Sequence, residues 1–162
     1  MNASSTTFAV SKSSGIPAIF WGGLIAGVFD LCSAFITWGL RGVGPARICR
    51  GIASGLLGPR SFDGGVPTAI LGFFLHFFIA FSAAAVFYIV SRKLGFLIEH
   101  PYVSGMFYGI AVYLVMKLIV LPLSAVGNGK GPYTLRDLIQ GLLVHMILIG
   151  LPISLSARRF SR

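Results

Sequence analysis

Four long apolar stretches, each interrupted near its middle by one ionisable side chain, constrain this chain more than any other feature. They run roughly over 17–39 with Asp30, 67–91 with His76, 102–126 with Lys117 and 134–156 with His145. Apolar runs of ~18 residues or more read as transmembrane helices, because a helix satisfies its own backbone polar groups in hydrocarbon. A charge near the centre of such a helix costs on the order of 2.5–3.5 kcal/mol on insertion scales. Ionisable residues retained there face the bundle interior and mark a function or a pair. The expected fold is all-α: four transmembrane helices in an antiparallel bundle, with one short interfacial amphipathic helix between helices 1 and 2.

Composition agrees with that class. Charged residues are 10% of the chain and mean hydropathy is +0.88, whereas a soluble domain carries about 25% charged residues. The sequence divides into a polar N-terminal tail over 1–16, one four-helix domain over 17–159 and a basic end over 160–162. A net charge of +9, from 13 Lys and Arg against 4 Asp and Glu, would suggest nucleic acid in a soluble protein. Here the basic residues sit in short connectors beside apolar runs. Arg47, Arg50, Arg92, Lys93, Arg158 and Arg159 are therefore expected to contact anionic lipid headgroups, with no nucleic-acid partner. Cys32 lies in the first run and Cys49 in a connector, with no CxxC spacing for zinc or redox chemistry. The chain has no nucleotide-binding loop, nucleophile elbow or HExxH, so a conventional enzyme is not expected.

The span boundaries are punctuated. Pro17, Pro67 and Pro101 sit where a first helical turn loses nothing by a missing N–H. Thr134 with Asp137 forms a capping pattern before the fourth run, and residues 127–132 read as a turn-rich loop. Pro122 and Pro152 lie near the ends of spans three and four, as kinks that neighbouring helices tolerate. Within the connector 40–66, residues 46–57 are too short to span. They carry Arg47, Arg50 and Ser54 on one helical face and Ile48, Ile52 and Leu56 on the other. That pattern predicts an interfacial helix, with a re-entrant segment as the alternative. An even number of spans puts both termini on one side. Basic residues divide evenly between the sides, but Arg92-Lys93 and Arg158-Arg159 abut helix ends, which favours cytoplasmic termini.

Small residues mark packing faces. Gly23 and Gly27 lie four apart in the first span, as do Gly105 and Gly109 in the third, at the spacing that lets helix backbones approach. Gly72 precedes His76 as Gly141 precedes His145. Odd spans thus resemble each other, as do even spans, which suggests two hairpins related by an axis along the membrane normal.

At ~1.5 Å per residue, the four ionisable groups fall within roughly 5 Å of the midplane. Asp30 and Lys117 have opposite charge at similar depth. They form either a structural ion pair that fixes helix register or an ion or proton site with His76 and His145 as relays. Tyr113, one turn from Lys117, either donates into this layer or packs. A third reading places haem or a metal between His76 and His145. Tyr88, Tyr102, Tyr108, Tyr133, Trp21 and Trp38 read mostly as an aromatic belt.

The stretches GGLIAGVFDLCSAFITWGL, IASGLLG, LGFFLHFFIAFSAA, VLPLSA and HMILIGLPISLSARR resemble uncharacterised bacterial inner-membrane proteins, and the pattern is remotely similar to the YagU-like family. That resemblance implies a small multi-pass protein of the bacterial cytoplasmic membrane and supplies no reaction. The functional expectation is a small transport or ion/proton-handling protein acting as a homo-oligomer or with a membrane-complex partner. The rivals are a structural or assembly subunit and a redox protein.

Overall fold

A computed structural model describes residues 15–125 and 134–161 as helices and short turns. The expected loop over 127–132, Lys12, Lys130, Tyr133 and Arg162 lie outside the described residues. Four helices are long and apolar enough to cross a membrane: α1 (Gly15–Gly39), α3 (Gly65–Ser91), α5 (Pro101–Leu123) and α6 (Leu135–Phe160). Between them lie α2 (Pro45–Leu57), a 3₁₀ turn (Gly58–Phe62) and the single-turn α4 (Phe96–Glu99). The chain is an all-α, multi-pass membrane protein, and its apolar outer faces contact lipid.

The helix ends follow local chemistry. Gly42, at φ +80°, turns the chain after α1, and Gly58, at φ +64°, stops α2. Thr134 and Asp137 close a capping box on α6: the Asp137 N–H donates to Thr134 Oγ1 at 3.1 Å, and the Thr134 N–H donates to Asp137 Oδ2 at 3.4 Å.

α1 packs along α3 and also on the C-terminal half of α6, while α5 packs on the middle and end of α6. The glycines permit these approaches. A Cβ on Gly23 would fall 2.9 Å from the Phe81 Cα, and one on Gly27 would fall 2.8 Å from the Phe77 ring. Gly105 and Gly109 lie directly on the α6 backbone at Gly150, His145 and Met146. Gly141 receives the hydroxyl end of the Tyr113 ring, and Gly72 receives the Cys49 carbonyl of α2. A stripe of small residues is what brings apolar helices together when lipid offers no hydrophobic drive.

The core is concentrated toward the chain termini. Ala26, Ala84, Phe87, Ile149, Ile153 and Ala157 form its buried cluster. Serine hydroxyls stitch the same end: Ser154 Oγ donates to Pro101 O at 2.8 Å and Ser156 Oγ donates to Ala18 O at 3.0 Å. Tyr108, expected in the interfacial belt, instead donates its hydroxyl to Ala83 O at 2.6 Å and packs edge-on against Phe87. A phenol in hydrocarbon needs an acceptor, and the α3 backbone supplies it.

α2 also departs from its expected face. Cys49, Ala53 and Ser54 are buried against α3, while Leu56 and Leu57 are exposed. The reason is steric: small side chains four apart let α2 settle on Gly72. Burial pushes the Cys49 thiol pKa up, so the sulfur packs as a neutral group. Arg50, expected to reach headgroups, turns inward and donates to Phe62 O at 2.8 Å, while Arg47 lies 5.2 Å over the Phe62 ring. Gly51 has open space around its missing Cβ. Gly51→Ala is therefore expected to stabilise the protein by about 0.5–1 kcal/mol, read as a rise in the thermal midpoint of detergent-solubilised protein.

Candidate functional site

The five candidate residues lie on the side of the spans where α1 ends and α3 begins. Asp30, His76, Lys117, Tyr113 and His145 each lie roughly 9–17 Å from that end of their helix, at ~1.5 Å per residue. Tyr113 is buried and the other four are half-buried.

His145 is the centre of the group. Its Nδ1 lies 2.9 Å from Gly141 O, one turn back on the same helix. A carbonyl oxygen only accepts, so Nδ1 carries the hydrogen and donates it. That leaves Nε2 as the ring nitrogen that can gain and lose a proton. Tyr113 packs edge-on against the imidazole with ring centroids 5.1 Å apart, and Lys117 Nζ lies 5.9 Å over the Tyr113 ring. Asp30 and Lys117 both lie within electrostatic reach of His145. The structure thus brings Asp30, Tyr113, Lys117 and His145 into one neighbourhood from three helices.

His76 stands apart. Its Nε2 donates to Gly27 O at 2.8 Å, tying α3 to α1 one turn from Asp30. Each histidine is bound to a different helix backbone, His76 to that of α1 and His145 to that of its own helix. Among the described residues, no three His, Cys, Asp or Glu side chains gather to hold a metal ion.

Two further features shape the site. The first is a pair of π-helical turns, Met116–Val120 in α5 and His145–Gly150 in α6. One contains Lys117 and the other begins at His145. Their cause is written in the sequence: the frame Met-x-Leu-Ile-x-Leu-Pro-x-Ser begins at Met116 and again at Met146. In both copies the leucine before the proline donates its N–H five residues back, to the Met carbonyl. Pro122 and Pro152 have no N–H to give, so the ladder widens just before them. Comparing spans three and four, rather than odd with odd, would have revealed this repeat.

The second feature is a polar ladder between α1 and α6. Gln140 Nε2 donates to Thr37 Oγ1 at 2.9 Å, and Arg41 Nη2 lies 3.5 Å from Asp137 Oδ1. Neither pair is visible as a local motif, because the partners are about a hundred residues apart in sequence.

Of the expected headgroup contacts, Arg92, Lys93 and Arg159 are exposed at helix ends, and Arg158 donates to Glu99 O at 3.3 Å. No family model, no curated protein and no solved structure matches this chain.

Proposed function

We propose that this protein moves protons, or a small ion coupled to them, across a bacterial inner membrane. What supports this reading is one imidazole with a single exchangeable nitrogen, packed against Tyr113 and through it beside Lys117, in spans that also carry Asp30. Charges in hydrocarbon are retained at cost, and such Asp/His groupings serve as relays in pumps and transporters. The π-turns add to it, since widened or broken helices at mid-depth recur at ion and substrate sites. Asp30 and Lys117 hold opposite charge around His145, and Tyr113 sets the imidazole's orientation. His76 serves as a structural tie. The protein acts as a homo-oligomer with both termini in the cytoplasm, because four helices enclose little private pathway.

The alternative is a bracing subunit of a membrane complex, favoured by the tightly stitched serine-rich end. The two histidines separate the readings. In liposomes containing purified protein and a pH-sensitive dye, His145→Gln is expected to stop proton flux. His76→Phe is expected to retain flux while costing about 0.6–1.7 kcal/mol of stability, the range of hydrogen bonds between membrane helices. Equal flux from wild type and His145→Gln would remove the relay assignment.

A further inference from the structure

Resting on the proton-handling reading, we propose that the polar layer opens to water on one side only, through a wedge between α1 and the N-terminal half of α6. The bundle is asymmetric along its axis. Toward the termini, α1 lies close on α6: a Cβ on Gly22 would fall 3.3 Å from the Ile153 Cα. The buried apolar cluster fills that half. Toward the other side the backbones stand further apart: α1 packs closely on residues 145–160 of α6 and at most sparsely on 135–144. The two helices diverge there, and what joins them is side chains.

Those side chains are polar. Asp30, Ser33 and Thr37 recur at helical spacing on one face of α1, and Arg41 follows in the turn after it. Asp137, Gln140, Gly141 and His145 do the same on α6. The rungs run from the mouth inward: the Arg41–Asp137 ion pair, half-exposed on both partners, then the Thr37–Gln140 hydrogen bond, with Asp30 and His145 further along the same two helices. A seam between helices that carries a charge pair, a hydroxyl and an amide is costly to cover with acyl chains and favourable to hydrate. The layer then has a wet side at the α1–α2 connector and a dry side toward the termini, as a relay needs if protons are not to leak through. The species admitted is water, and with it the hydrated proton.

Cysteine accessibility tests this without relying on transport. In the full-length chain with Cys32→Ser and Cys49→Ser, single cysteines are placed at Ser33, Thr37 and Gln140. Ile36, whose side chain faces outward from α1, is the lipid-facing control. Proteoliposomes are treated with a charged methanethiosulfonate, which reacts with thiolate formed in water. The wedge positions are expected to label at least about tenfold faster than Ile36→Cys, because a thiol in hydrocarbon does not ionise. Arg41→Ala is expected to speed labelling at Ser33→Cys and leave Ile36→Cys unchanged. Wedge cysteines that label no faster than Ile36→Cys in folded protein would overturn the proposal. Fast labelling in a protein that carries no protons would keep the wedge and remove the transport reading. Proton flux without labelling would do the reverse.

Discussion

Asp30→Asn is expected to cut proton flux on the order of 10²-fold, the scale at which a positioned proton-transfer group acts, while leaving the helix bundle folded. Asparagine matches the size of aspartate, so the packing of α1 on α3 and α6 is preserved. What changes is that the side chain no longer presents a carboxylate. Lys117 then acts on His145 without the opposing carboxylate from α1. Flux in liposomes and the thermal midpoint in detergent are read on the same preparation. The bracing alternative expects the opposite pattern: a falling midpoint, restored by adding Lys117→Met. A register-fixing pair loses stability when one partner is neutralised and recovers it when both are.

Gly150→Val is expected to be the most destabilising substitution in the spans, at about 3 kcal/mol or more. Its Cβ would land on the Gly105 carbonyl, with the Gly109 nitrogen 2.8 Å away. Both obstacles are backbone, so no rotamer change relieves them and α5 must move off α6. That movement also takes Tyr113 from the His145 ring, so flux falls together with stability. Unfolding in detergent followed by circular dichroism measures the loss. A midpoint equal to wild type would mean that α5 and α6 do not pack through these glycines.

Much of the architecture was legible because membrane helices are specified by length and apolarity, which a sequence displays directly. Asp30, His76, Lys117 and His145 stood out for the same reason, as lone ionisable groups in hydrocarbon. The glycine pairs 23/27 and 105/109 were legible as a period, though not which helix each would meet. What stayed hidden depended on partners. α2 shows a hydrophobic face of Ile48, Ile52 and Leu56, yet closeness to Gly72 selects the smaller Cys49–Ala53 face. Tyr108 looks like an interfacial tyrosine until Ala83 O of α3 is found beside it. His76 and His145 look equivalent in sequence, but one bonds across to α1 and the other bonds back along α6. The Thr37–Gln140 rung had no local signal. The π-turns did have one, a repeated frame ending in proline, whose meaning depends on a proline's missing donor rather than on hydropathy.

The most direct test of the central claim is proton flux through the wild-type chain itself. Purified protein in liposomes, with a potassium gradient and valinomycin imposing a potential, is followed by an internal pH dye. The account predicts acidification or alkalinisation that is faster than in protein-free liposomes, reverses with the sign of the potential and scales with protein density. Folded, helical protein that gives the same rate as protein-free liposomes would contradict it.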